Sequence, residues 1–237
     1  MSNTLAAPKS GSGNGADVLF QGMLEAISRQ RLPPGTKLPE EGLAQIFNVS
    51  RAQVRNALSR LQLRGLVEME PNRTAQIAAP STEETRAIFD LRLWIEPEIA
   101  AEVAMKLDAK GEAVLKDHLS QDKAARESAD RVEATRLAGQ FHNVIASFSN
   151  NRVACRYVQE LVDRSFLSIY LYQRVGSLMC VNEEHEELVK VLSKRNADAA
   201  RRVMADHLRH IVDRLDLDTP GGQQPDLRQA FRGIVAP

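Results

Sequence analysis

Arg51 and Arg55 stand one helical turn apart in the stretch SRAQVRNALSRLQLRGL, residues 50–66. An Arg guanidinium is a planar fork of donors that fits the O6/N7 edge of guanine or the oxygens of a phosphate. Two such groups on one side of a helix are chemically suited to a DNA major groove. The stretch also carries Arg60 and Arg64 and no acidic residue, whereas a solvated helix usually mixes both signs. Taken alone, the pattern fits a basic solvent-facing helix equally well. A second charged cluster, Glu183 to Glu187 around His185, invites a metalloenzyme reading. It lacks two histidines four apart on one helix, and acidic residues flanking a single His usually form a solvated face.

The elements that must position these arginines follow from local chemistry. Ser50 can cap the helix through its hydroxyl, Gly65 can close it in a left-handed turn, and Val54, Leu58 and Leu61 make its buried stripe. Upstream, Leu43, Ala44 and Phe47 predict a short helix over about residues 40–47, with Asn48-Val49 as the turn. Helix, short turn and second helix make a helix-turn-helix. Downstream, Leu66–Met69 and Ala75–Ala78 predict two strands of a wing with Arg73 near its tip. Val18, Leu19, Leu24 and Ile27 predict a preceding helix. Leu19-Phe20-Gln21-Gly22 resembles a protease-cleavage sequence, but the native helical reading fits the apolar spacing.

Beyond Pro80 the texture is helical throughout. The spacing predicts helices over 83–107, with Ile88, Leu91, Trp94 or Ile95, Ile99 and Val103 inward and a kink at Pro97. Further helices are predicted over 110–126, 130–149, 151–175, 181–194 and 197–216. The fold class is therefore mainly α, a winged helix-turn-helix followed by an all-α bundle. Residues 1–16 read as a disordered tail, 17–79 as the winged helix-turn-helix, 80–218 as the bundle and 219–237 as a loose tail, with a short helix possible over 227–234. Lys plus Arg and Asp plus Glu both number 31, so the basic signal is local. Cys155 and Cys180 lack metal-type spacing and read as buried apolar residues. No apolar run approaches a membrane span and no signal segment leads the chain, which together predict a cytoplasmic protein.

The pattern L-P-E-E-x-L-A-x-x-F-x-V-S-R-x-x-V-R-x-A-L-x-x-L-x-x-x-G-L-V resembles the winged helix-turn-helix of GntR-family bacterial transcription regulators over about residues 18–79. Ser50, Arg51, Gln53, Arg55 and Arg73 are the DNA-contact candidates. Thr74 stands where the family usually has Gly at the wing tip. FDLRLWIEPEIA, FHNVIASFSNN and EEHEELVKVLSKRNADAARRVMADHLRHI resemble three segments of the FadR-type C-terminal domain, the FCD domain.

That second resemblance implies a divalent metal held by one Asp and three His. The histidines fall on His142, His185 and His207, each on a different predicted helix, and imidazole suits Zn or Ni. The family Asp falls on Ala138, so the site has lost its carboxylate. The resemblance also points to Arg92 as an inward ligand contact, with a surface ion pair to Glu96 or Glu98 as the other reading, and Arg164 could join it. His118 and His210 match nothing and read as surface residues. Tyr157, Phe166, Tyr170 and Tyr172 read as core or interface aromatics. The implied function is a ligand-responsive regulator, a homodimer on operator DNA, released as a repressor by a small carboxylate effector. The alternatives are a tri-His metalloenzyme and a bundle that only dimerises.

Overall fold

The computed structural model describes residues 15–173, 182–217 and residue 231. The N-terminal unit contains α1 (Gly15–Ser28), α2 (Glu40–Phe47), α3 (Arg51–Leu63) and a hairpin of β1 (Val67–Glu68) and β2 (Gln76–Ile77). The helical unit contains α4 (Thr82–Lys106), α5 (Ala109–Glu127), α6 (Arg131–Ser147), α7 (Arg152–Tyr172), α8 (Asn182–Ser193) and α9 (Ala197–Asp213). The predicted helix ends shift by a few residues, and Gly15 and Ala16, expected in the tail, begin α1. The expectations for residues 1–14, Gly176, Cys180 and most of 219–237 lie outside the described residues.

Local chemistry explains the boundaries. Ser50 caps α3 by accepting from the Gln53 amide, while the Gln53 side chain accepts from the Ser50 amide at 2.9 Å, a reciprocal capping box. Ser81, Asp108, Asp130, Asn151 and Asn196 cap α4, α5, α6, α7 and α9 in the same side-chain manner. Asn48 ends α2 with φ +51°, a left-handed conformation that Asn tolerates. In the wing, β1 and β2 pair antiparallel with Val67 opposite Ile77. The left-handed residue of its turn is Asn72, φ +62°. Thr74 is not among the described residues with positive φ, so the turn forms without a glycine there.

Leu19, Met23, Leu43, Val54, Leu58, Leu61, Leu66 and Ile77 are fully buried and form the winged-helix core. Phe20 is buried under the Arg60 guanidinium, 4.2 Å from its ring centroid, which places Leu19-Phe20 in the fold as a native helix would. Val18, expected inward, is 52 % exposed.

In the helical unit α4 packs mainly on α9 and also on α6, α7 and α8. Its buried face runs through Thr85, Ile88, Phe89, Arg92, Glu96, Ile99, Ala100 and Val103, and the helix continues through Pro97. Leu91, expected inward, is 41 % exposed, and of the alternatives Trp94 and Ile95 it is Ile95 that packs on the core, Trp94 being 72 % exposed. The charged pair Arg92 and Glu96 occupies the core positions that apolar periodicity assigned to their neighbours. His118 is also buried, not superficial, because its Nε2 reaches the Leu137 carbonyl at 2.8 Å. Cys155 is half-buried and Tyr157 is exposed, so neither is a core residue.

The two units meet along α7. Arg64 Nη1 reaches Asp163 at 3.2 Å. Arg164 bonds Glu84 and lies over Gly65 (φ +68°), where an added Cβ would stand 3.0 Å from Arg164 Nε. The Tyr172 hydroxyl donates to the Pro80 carbonyl at 2.9 Å. Phe231, in the predicted loose tail, is buried with its ring centroid 4.9 Å from that of Phe47 on α2.

Candidate functional site

Arg51 and Arg55 project from the first turns of α3, with side chains 63 % and 61 % exposed. Both lean on one carboxylate, Glu40 at the start of α2. Arg55 Nε lies 2.8 Å from Glu40 Oε1 and 2.9 Å from Oε2, and Arg51 Nη2 lies 3.3 Å from Oε2. The Arg55 hydrogen bond, ahead of the opposing effect of burial, lowers the Glu40 pKa below the usual carboxylate range. Ser50 and Gln53, expected as DNA contacts, are engaged with each other in the capping box. Arg73 is exposed on the wing and paired with Glu70 at 2.5 Å. Sequence reasoning missed Glu40, because its partners lie 11 and 15 residues away across a turn.

The second constellation lies inside the helical unit. His142 on α6, His185 on α8 and His207 on α9 are all buried and offer ligand atoms within 4.8 Å of one another. His207 Nε2 lies 3.2 Å from His185 Nε2 and 3.3 Å from His142 Nε2. Zn–N bonds of about 2.0–2.1 Å at tetrahedral angles put neighbouring nitrogens about 3.3 Å apart, so these spacings match the edges of such a ligand face.

Carboxylates hold two of the rings from behind. His142 Nδ1 is 2.5 Å from Glu96 Oε2, and His207 Nδ1 is 2.7 Å from Glu184 Oε2. A carboxylate accepts, so each ring donates its Nδ1 proton outward and turns an Nε2 lone pair inward. His185 instead stacks on Phe141, with ring centroids 4.1 Å apart. Burial lowers the His142 pKa to about 4 and takes that of His185 well below the ordinary value, which keeps these imidazoles neutral, the form that binds metal. The donor set thus fits a divalent transition ion. Gly139 allows the close approach of α7 to α6, because a Cβ there would lie 2.4 Å from Phe166 Cζ.

Arg92 is inward, and its fork is filled. Nε lies 2.5 Å from Glu96 Oε1 and Nη1 lies 3.1 Å from Ser165 Oγ. Burial raises the Glu96 carboxyl, but Arg92 and His142 outweigh it and hold the pKa down at about 2. Arg92 therefore braces Glu96 behind His142, so the ion pair with Glu96 forms in the core and not at the surface. Arg164 does not join it, because its neighbours are Glu84 and Gly65 at the junction of the units. Ala138 is buried on α6. Sequence reasoning missed Glu96 as a brace, and it missed Glu184, which serves His207, His210 and Arg214 together and is not simply part of a solvated face. His210 is exposed, as expected.

Comparison with known proteins adds lineage. The pattern of the bacterial regulatory proteins, gntR family, matches residues 16–77, and that of the FCD domain matches residues 87–210. The HTH-type transcriptional repressor RspR of Escherichia coli is 27 % identical over 185 residues, spanning 77 % of this chain and 80 % of that protein. The HTH-type transcriptional regulator LutR of Bacillus subtilis is 28 % identical over 209 residues, spanning 79 % of this chain and 94 % of that protein. Among solved structures, E. coli McbR/YncC superposes with a TM-score of 0.75 at 19 % identity, covering 85 % of this chain and 97 % of that one.

Proposed function

The chain belongs to the GntR family of bacterial regulatory proteins and carries an FCD domain, so it is a DNA-binding transcription regulator and not an enzyme; from that premise we propose that it is a repressor whose operator grip is released by a small carboxylate sensed in the helical unit. The observation that carries the sensing half is the convergence of three Nε2 atoms backed by Glu96 and Glu184. His142, His185 and His207 would hold a divalent ion, Zn or Ni by donor type. With three neutral ligands and no carboxylate at Ala138, such an ion would supply uncompensated positive charge and open positions, which favours an anionic effector. The chain's own part is to fix the rings, exclude water from their Nε2 face and link that face through Arg92 and Ser165 to α7, which abuts the winged helix. An effector shifts the protein toward release only through tighter binding to one arrangement than to the other. A regulator of this kind works in the cytoplasm, where the DNA is, and among the described residues no helix is long and apolar enough to cross a membrane.

The test is a thermal-shift panel of small carboxylates on protein loaded with Zn or Ni and on protein freed of metal. Stabilising compounds are then tried for release of an operator selected from random DNA. Metal-dependent stabilisation with release supports sensing. A panel without any shift favours a helical unit that only assembles the regulator.

Arg51, Arg55 and Arg73 are the proposed DNA contacts, with Ser50 and Gln53 fixing the start of α3. Arg55→Ala is expected to weaken specific operator binding by about 1–3 kcal/mol while the fold persists. Titration of the selected operator checks this, and unchanged affinity would reject α3 as the reader.

One winged helix reads only a short half-site, and two related by a twofold axis supply a full one. A homodimer is therefore proposed. The side of α4 facing away from the histidines exposes Trp94 at 72 %, with Leu91 one turn away at 41 %, apolar surface that a second copy could cover. Light scattering at micromolar concentration should give twice the chain mass, and Trp94→Glu should shift it toward the monomer. A monomeric wild type would reject the assembly.

A further inference from the structure

The Glu40 carboxylate sits between the two candidate reading arginines, and how it grips them matters. It takes Arg55 at Nε, on the side of the guanidinium, through both oxygens at 2.8 and 2.9 Å. Among the described residues, neither terminal amine of Arg55 has a hydrogen-bond partner. Those two amines are the fork that meets guanine O6 and N7. Glu40 is itself well held. It is the first residue of α2, where the helix dipole favours a carboxylate, and its side chain is 24 % exposed against 61 % and 63 % for Arg55 and Arg51. Its charge also offsets one of the two positive charges at that end of α3. Phosphate attraction supplies nearly all sequence-independent DNA binding, so a carboxylate here works against binding to any duplex that lacks the right base.

We propose that Glu40 is a positioning residue for operator reading: it holds Arg55 by Nε so that the terminal amines address a guanine, and it weakens the attraction of Arg51 and Arg55 for phosphates of arbitrary sequence. The proposal rests on Arg51 and Arg55 being DNA contacts. An ordinary exposed ion pair would contribute little and would be indifferent to DNA sequence, which gives the test its contrast.

Full-length wild type, Glu40→Gln, Glu40→Asp and Arg55→Ala are compared by fluorescence anisotropy over a KCl series. The probes are a random-sequence duplex and a duplex selected from a random pool by the wild type. Glu40→Gln is expected to bind the random duplex about tenfold tighter, with a salt slope steeper by about one, and to lose about tenfold in the ratio of selected to random affinity. Its melting temperature should match the wild type. Glu40→Asp keeps the charge and should restore the weak random binding and the shallower slope. A Glu40→Gln protein with wild-type ratio and slope overturns the proposal. So does one that melts early and loses both duplexes alike, which would make Glu40 a structural residue of α2. If Arg55→Ala leaves the selected duplex bound as tightly as before, the reading of α3 fails and takes this proposal with it. If Arg55→Ala abolishes that binding while Glu40→Gln behaves as wild type, the Glu40 role alone fails.

Discussion

Arg92→Ala is expected to destabilise the helical unit by about 3–5 kcal/mol, the range for removing one partner from a buried ion pair. For a chain of this size that corresponds to a melting temperature lower by on the order of 10 °C. Arg92 and Glu96 each retain only about 3 % side-chain exposure, and burial alone would drive Glu96 to its neutral form. Removing the guanidinium leaves a buried carboxylate with only the His142 N–H and leaves Ser165 Oγ without its donor. Replacing both charges is a different matter. In Arg92→Met with Glu96→Gln, the Gln carbonyl can still accept from His142 Nδ1, while a Met side chain fills the volume of the Arg stem. The double variant leaves no uncompensated buried charge, so it should melt clearly above Arg92→Ala, short of the wild type by the cost of the Gln amide N–H groups. Scanning calorimetry of the three proteins checks this. An Arg92→Ala protein as stable as the wild type would mean that the pair is not held in a dry core.

That pair also shows where the sequence stops being informative. Elements set by neighbours in the chain were legible. Ser50 caps α3 as expected, Gly65 takes its left-handed conformation, and the wing strands form where β-branched and apolar residues flank a turn. The fold class and the family followed from such signals. Apolar periodicity found Ile88, Ile99 and Val103 on α4, and Ile95 of its two alternatives, but it also assigned Leu91 to the core and has no means of expecting an ion pair there. Only the neighbours on α6 and α7, His142 and Ser165, make Arg92 and Glu96 good core residues. Glu40 and Glu184 were invisible for the same reason. Each takes its role from residues one or more helices away, and each reads in sequence as an ordinary acidic residue on a helix. His118 looked superficial because nothing local reveals that it finishes against a carbonyl of α6. Phe231 sits in a stretch whose glycines and prolines suggest a loose tail, yet its ring meets Phe47. The three histidines were placed by resemblance, whereas their common Nε2 focus and the carboxylates behind two of them are properties of the packing.

His185→Ala is expected to take bound metal from about one ion per chain to none. In the wild type, Glu96 and Glu184 fix the protons of His142 and His207 on Nδ1, so both rings turn Nε2 lone pairs toward the same point. Lone pairs 3.3 Å apart in a dry site repel unless a cation or a shared proton lies between them. His185 completes the face at 3.2 Å from His207 Nε2, and among the described residues no carboxylate holds its ring, so its loss removes a ligand without freeing a buried acid. Protein exposed to Zn or Ni and then dialysed should show the difference by elemental analysis. The wild type should also gain melting temperature with added metal, since a ligand at a hundredfold excess over its Kd stabilises by about 2.7 kcal/mol, and His185→Ala should gain nothing. Operator binding in the absence of effector should survive the substitution, because α3 and its arginines lie in the other unit. Ala138→Asp restores a carboxylate at the position where the family resemblance expects a ligand, one turn before His142 on α6, and should tighten metal binding by adding charge to a neutral donor set. A wild type that takes up no metal and shows no metal-dependent melting, yet still releases its operator for a carboxylate, would separate the histidine face from sensing.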